Sequence, residues 1–283
     1  MACSETLFGH QDDVLDVAAL ARETCTSVGA RDRTARFWKV VEETQLIFRG
    51  GASEKKRHSN QPQAQEGSMD RIAMIDEDTF VTGGDSGALS LWMTHKKKPV
   101  HTYSLAHGID ETLTSDAYSA EQTPDPAFAP ASQARWITAL ATIPYTDFIL
   151  TGSWDGHLRA FKVSADRKKI EYIGIVGSSP KSTPIPLESG HDLDLPVLNL
   201  PIVKPGEDVK PLVKGFINDI SIAERGDRGA DGVAIVIAVG REHRLGRWIQ
   251  KKGNNSAVVF EVPRVVRNGL LSRDEQEEDE DDV

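Results

Sequence analysis

Four residue types in the first forty positions could assemble a nucleophilic site. His10 could serve as a base, Asp32 could orient it, a hydroxyl from Thr26 or Ser27 could attack, and Trp38 would add an aromatic wall. The same set also suits a structural network tying a loop to a strand pair, because buried polar groups must find partners. His243 beside Glu242 invites an acid–base reading, but no nucleophile, metal pair or phosphate loop accompanies it. The eight histidines and two cysteines, Cys3 and Cys25, lack metal-ligand spacing. Gly226–Gly232 follows no nucleotide-binding pattern and reads as a plain turn. These residues support no enzyme, no metal and no cofactor.

Charge offers a second chemistry. Arg241, Arg244 and Arg247 flank one tight turn that also holds His243, with Lys251 and Lys252 just beyond. One reading is a solvated hairpin with an arginine packed beneath Trp248 by a cation–π contact. The other is a turn that grips phosphate, since guanidinium forks match phosphate oxygens in pairs and folded RNA is bound largely through backbone and shape. Lys55-Lys56-Arg57 and Lys96-Lys97-Lys98-Pro99 are weak nuclear-import candidates, and such runs are more often solvated loops.

A recurring unit must position these groups. In Thr151–Val163, an apolar run ending at Leu150 meets an Asp155-Gly156 turn and leaves through Leu158–Phe161. Gly29 to Trp38, Gly83 to Trp92 and, more loosely, Gly240 to Trp248 repeat the plan of a glycine closing one strand and an aromatic closing the next. Each unit reads as four strands. The first is Val14–Leu20, Cys25–Val28, Ala35–Val40 and Gln45–Phe48; the second is Met69–Ile75, Thr79–Thr82, Ala88–Met93 and Val100–Leu105. The third is Trp136–Ile143, Phe148–Thr151, Leu158–Val163 and Ile170–Ile175; the fourth is Phe216–Ala223, Val233–Val239, Leu245–Ile249 and Ala257–Val262.

Composition bounds the class. The 283 residues are 39% hydrophobic, enough for a large core, and the longest apolar run, Val233–Val239, is too short to span a bilayer as a helix. The first residues lack the basic and apolar regions of a signal peptide, so a reducing, intracellular setting is expected. The net charge of −10 is concentrated: Asp274–Val283 carries eight acids and no base, and the rest of the chain stands near −2. Residues 264–283 are expected to form a disordered acidic tail, either solubilising or docking on a basic surface.

The pattern resembles the WD40 β-propellers, and within them the WD-repeat proteins of the U3 small nucleolar ribonucleoprotein. Glu5–Asp12, Gly29–Asp32 with Phe37-Trp38-Lys39, Gln45–Phe48, Gly215–Asn218 and above all Val239–Trp248 carry the resemblance, which runs from about Glu5 to Pro263. It implies an all-β fold of four blades, about 9–48, 69–105, 136–175 and 216–262, from a seven-bladed ring. It also makes His10, Asp32, Trp38, Trp92, Asp155 and Trp248 structural repeat residues. The implied function is non-catalytic binding of U3 RNA and ribonucleoprotein partners in pre-rRNA processing, in the nucleus and nucleolus, with no membrane and no small-molecule substrate. Arg31, Arg33, Arg241, His243, Arg244, Arg247, Lys251 and Lys252 are the expected contacts. A general WD40 scaffold without RNA is the competing reading, mildly favoured by the acidic balance.

The resemblance leads to the expectation that the N-terminal half of the family's ring is absent here. Thr6–Phe8 is expected as an outer strand whose blade is absent, so residues 1–263 should form an open arc. Val14, Val17, Ile220 and Ile222 would then be exposed on its two free flanks. Three inserts, 50–68, 107–135 and 177–214, should open on the face that carries the Arg31–Arg33 and Arg241–Arg244 turns. Their prolines predict extended, mobile segments.

Overall fold

A computed structural model describes residues 5–20, 23–50, 67–111, 125, 132–177, 183–187, 197–205, 209–227, 231–251 and 253–265. The first blade is β1 (Asp16–Ala19), β2 (Thr24–Val28), β3 (Thr34–Lys39) and β4 (Thr44–Arg49). The second is β5 (Met69–Met74), β6 (Thr79–Gly84), β7 (Leu89–Met93) and β8 (His101–Tyr103). The third is β9 (Ala139–Thr142), β10 (Phe148–Gly152), β11 (Leu158–Val163) and β12 (Ile170–Val176), all antiparallel meanders. These three match the expected strands closely. Trp38, Trp92 and Phe161 are buried near the ends of β3, β7 and β11, as the repeat required.

The third sheet is wider than a blade. β13 (Thr183–Leu187) and β14 (Val197–Val203) form a hairpin that joins the outer edge of β12 through Ile175↔Val203 and Val176↔Ile202. The 177–214 insert is therefore partly sheet, which corrects the expectation of loosely extended chain. Pro184 and Pro186 lie on the outermost strand, where a missing N–H leaves no neighbour unsatisfied. Leu200, Ile202 and Val203 are buried. Pro124, Pro126, Pro130, Pro180 and Pro196, the 51–66 part of the first insert and residues 266–283 lie outside the described residues, while Arg264 and Val265, expected in the disordered tail, form a strand instead.

The fourth blade differs from its expected form. It comprises β15 (Phe216–Arg225), β16 (Gly232–Gly240) and β19 (Ser256–Val262), while β17 (Glu242–His243) and β18 (Gly246–Gln250) pair only with each other. Leu245–Ile249 is thus not the third strand, and Trp248 does not close it; an extra hairpin separates the second strand from the third. The chain ends its described part at β20 (Arg264–Val265), which pairs with β14.

Inner strands pack side by side, β1 on β5, β5 on β9 and β9 on β15. Three apolar seams follow. Val28, Phe48, Phe80 and Trp92 lie in the first seam; Leu91, Ile137, Ile149 and Phe161 in the second; Leu150, Ile217, Ile220 and Ile235 in the third. The repeat glycines have a role here: a β-carbon on Gly83 would sit 2.7 Å from Ile137 Cγ2, and one on Gly152 2.4 Å from Ile217 Cγ2. Each glycine is a seat for the isoleucine that begins the next blade.

Among the described residues no apolar seam joins the fourth blade to the first. Val14 and Val17 are 51% and 59% exposed, as expected of a free flank. Ile220 is instead buried and Ile222 half-buried. A bulge between Ile217 and Asp219 resets the alternation, so Ile217 and Ile220 both face the third blade while Asp219, Ser221 and Ala223 are exposed. Thr6–Phe8 is not a strand; it runs beside Trp38 and Glu43–Gln45, and Phe8 is 81% exposed.

Trp92 stacks on Phe80 at 6.1 Å and donates its indole N–H to Thr82 Oγ1 at 2.9 Å. Trp92→Ala should cost about 3–5 kcal/mol in urea or thermal unfolding, whereas Trp92→Phe should cost about 1–2 kcal/mol by keeping most of the packing. Equal losses in the two variants would contradict this seam.

Candidate nucleic-acid interface

Three turns define the face from which the long inserts leave. Gly50 N donates to Arg33 O and Met69 N to Ala30 O, placing the first insert beside the β2–β3 turn. Ala106 N donates to Gly87 O and Val213 N to Gly156 O, repeating the arrangement in the second and third blades. The ends of the second insert close on each other through Asp110 N→Gln133 O and Arg135 N→Gly108 O. The inserts and the basic turns therefore share one face, as expected.

The triad-like set is a network that fastens this face. His10 Nδ1 lies 2.7 Å from Asp32 Oδ2 and His10 Nε2 2.7 Å from Ser27 Oγ, which also accepts the Trp38 indole N–H at 2.8 Å. Ser27 rather than Thr26 supplies the hydroxyl; Thr26 donates to Ala18 O. Asp32 further accepts from Gln11 N, Thr34 N and the Thr34 hydroxyl. The third blade holds a second copy that sequence reading missed. His107 Nε2 lies 2.9 Å from Thr151 Oγ1 and its Nδ1 3.0 Å from Asp155 Oδ2, with Arg159 Nη2 on the same oxygen at 3.1 Å. Burial alone would raise the Asp155 carboxyl, but His107 and Arg159 hold it well below the usual carboxylate range. His107 is hard to see in the sequence because it stands at the start of the polar insert and Phe161 replaces the indole. The signal was its place ahead of the Thr151–Asp155 turn.

The hairpin β17–β18 is the least ordinary part of this face. Asn218 holds it from both sides, donating from Nδ2 to Glu242 O at 2.9 Å and accepting the Arg244 N–H at 3.0 Å. Arg244 then reaches across the inner strands, with Nη1 on Leu15 O at 3.3 Å and Nη2 on Asp70 O at 3.1 Å. His243 is 5% exposed, with ring centroids 6.0 Å from Trp136 and 5.9 Å from Phe216. His243, packed inside an aromatic cluster, does not suit the expected phosphate contact, whereas Arg244 is exposed but directs two N–H groups to backbone carbonyls. Arg31, Arg33 and Arg241 are exposed on the same face, and Lys251 is half-buried. The side chains of Arg247 and Trp248, and all of Lys252, lie outside the described residues.

Beneath the hairpin, Arg71 links all four inner strands. From β5 its Nε donates to Thr138 O at 2.7 Å and its Nη2 to Asn218 O. Its Nη1 stands 3.6 Å from Asp16 and 3.2 Å from Asp219. Sequence reading passed over Arg71, although an Asp-Arg pair inside the strand Met69–Met74 was a visible sign of buried charge.

Two groups beside this centre titrate in opposite senses. Burial, then the charges of Arg244 and Arg71, push His243 down to about 4. Burial pushes Asp70 up to about 6 against a hydrogen bond from Ser68, and Asp85 adds to the rise. As pH falls from the ordinary histidine value of 6.5 toward 4, the unfolded chain binds the His243 proton first and stability drops. As pH falls from about 6 toward 3.8, the folded chain binds the Asp70 proton first and stability rises. The two largely offset. Asp70→Asn should therefore lose about 2 kcal/mol between about pH 7 and pH 5 in urea unfolding, and the unaltered protein less than half as much. Identical pH slopes in the two proteins would refute the assignment.

A family profile described as "WD domain, G-beta repeat" matches residues 1–39 and 130–162, the stretches that hold the His10–Trp38 set and the Trp154-Asp155 turn. An uncharacterized WD repeat-containing protein of Schizosaccharomyces pombe is 42% identical over 98% of this chain and 46% of its own length. Ribosomal RNA-processing protein 9 of Saccharomyces cerevisiae is 32% identical over 90% of this chain and 44% of its own. The crystal structure of the RRP9 WD40 repeats superposes with a TM-score of 0.60 at 29% identity, over 92% of this chain and 57% of that one. The chain spans about half the length of the curated relatives it matches. WD40 repeats are thus found in this chain, and the proteins it is similar to include a U3 snoRNP-associated protein-like protein of Arabidopsis thaliana and the U3 small nucleolar RNA-interacting protein 2 of Mus musculus.

Proposed function

We propose that this chain is a non-catalytic WD40 subunit of the U3 small nucleolar ribonucleoprotein, binding U3 RNA and its proteins during pre-rRNA processing in the nucleolus. The observation that carries the reading is the match to U3-associated relatives along nine-tenths of the chain. The loop face supplies the chemistry. Arg31, Arg33 and Arg241 project there as exposed forks suited to phosphate oxygens, and the fastened turns hold the backbone beneath them still. The network hydroxyl of Ser27 is buried and already engaged with Trp38 and His10, which suits a scaffold and not a nucleophile. The domain division we propose is a partial propeller that runs through Val265, whose strand pairs with β14, followed by the acidic tail.

Replacing Arg31, Arg33 and Arg241 together by Ala, in the tagged full-length protein, should reduce U3 RNA recovery several-fold. It should also flatten the slope of log affinity against log salt by about two to three. Undiminished recovery by the folded triple variant would overturn the reading. Arg244→Ala is the contrasting variant: it should lower the melting temperature, since it strips the contacts to Leu15 O and Asp70 O.

A further inference from the structure

The face opposite the long loops carries a charge pattern that neither the fold nor the proposed function uses. The β7–β8 turn holds Lys96, Lys97 and Lys98, and the β11–β12 turn holds Lys168 and Lys169; all five are exposed. The two turns meet at the outer rim between the second and third blades. Ile170 N donates to His101 Nδ1 at 3.2 Å, which brings the residue next to Lys169 against the start of β8, three positions after Lys98. Burial and the charge of Lys169 both lower the His101 pKa, as expected of cations gathered on one seam.

The neighbouring acids are already engaged. Asp76 pairs with Arg167, Asp78 accepts the Thr94 hydroxyl at 2.8 Å, Asp166 pairs with Lys168 at 3.4 Å, and Glu171 pairs with Lys162 at 3.5 Å. Lys96, Lys97, Lys98 and Lys169 have no ion pair among the described residues. Both turns are also fixed. Lys96 N donates to Met93 O at 2.9 Å and Val100 N to Leu91 O at 2.8 Å. In the third blade Ser164 N donates to Lys169 O at 2.9 Å and Lys169 N to Ser164 Oγ at 3.0 Å. A hairpin tip held in this way cannot lie extended in a receptor groove, so the Lys96–Pro99 run does not suit an import signal.

We infer that this rim is a second, sequence-independent contact for the sugar-phosphate backbone of RNA. Neither lysine-bearing turn offers the aromatic or aliphatic anchor that protein interfaces place at their centre, where lysine is depleted. Ammonium groups on flexible stems are point charges suited to single phosphate oxygens, and such contacts position a nucleic acid without reading its bases. The inference rests on the proposed RNA-binding function but assigns a different surface from the loop-face arginines. RNA engaged by both would cross the outer edge of the second or third blade.

The test measures binding of the purified protein to U3 RNA and to an unrelated hairpin RNA over a salt series. The variants are K96Q/K97Q/K98Q, K168Q/K169Q, the loop-face triple variant, and K39Q/K162Q as a control at lysines already paired with Glu42 and Glu171. K96Q/K97Q/K98Q should weaken both RNAs by the same factor, about tenfold or more near 0.1 M salt, and flatten the salt slope by about two to three. K168Q/K169Q should act in the same direction with a smaller change, and the control should bind normally. The loop-face variant should weaken U3 RNA more than the unrelated RNA. Normal RNA binding by both rim variants, with loss in the loop-face variant, overturns the rim assignment and leaves the proposed function standing. Failure of the unaltered protein to bind either RNA overturns both. Loss of an acidic protein partner from the rim variants, with RNA binding intact, assigns the surface to protein and also overturns it.

Discussion

Arg71 is the point on which the blades converge. A guanidinium that is 5% exposed would be costly without partners, because water no longer solvates its charge. Here the partners come from all three other blades: Asp16 from the first, Thr138 O from the third, and Asn218 O and Asp219 from the fourth. Burial and convergence are therefore one condition, since the cation is satisfied only when the inner strands come together. Arg244 applies the same logic one layer nearer the loops, where it joins the fourth blade's hairpin to carbonyls of the first and second. The apolar seams hold neighbouring blades, and the two arginines hold the inner strands across the centre.

Much of this was legible in the residues. Alternation and the glycine–turn–aromatic pattern located the strands of three blades, because both follow from local backbone and packing requirements. The fourth blade failed for an equally physical reason. Arg241–Trp248 imitates the repeat, with a glycine before it and an aromatic after, but its strands pair with each other and leave the third-strand place to Ser256–Val262. The bulge at Asn218 was likewise invisible, since a one-residue insertion changes the face of every later side chain without changing composition.

The site was less legible than the fold. Sequence shows that a guanidinium exists, not where its forks are spent. Arg244 and Arg31 look alike in the chain and both are exposed, yet Arg244 is tied to the carbonyls of Leu15 and Asp70. His243 showed as polar and basic and is walled by Trp136 and Phe216. The networks around His10 and His107 fared better on one count: their hydroxyl, imidazole and carboxylate types were recognisable in the first blade, and only a displaced histidine hid the second.

The seats at Gly83 and Gly152 carry a consequence for how such an object grows. At both seats the earlier blade offers a hollow and the later blade the isoleucine that fills it, so the joint is head to tail and its two sides differ. A joint of that kind sets no stopping point of its own. Units can be appended without redesigning the contact, and whether the series closes on itself depends on the rotation from one unit to the next. The number of blades is thus a property of accumulated angle, to which no single interface residue holds the key.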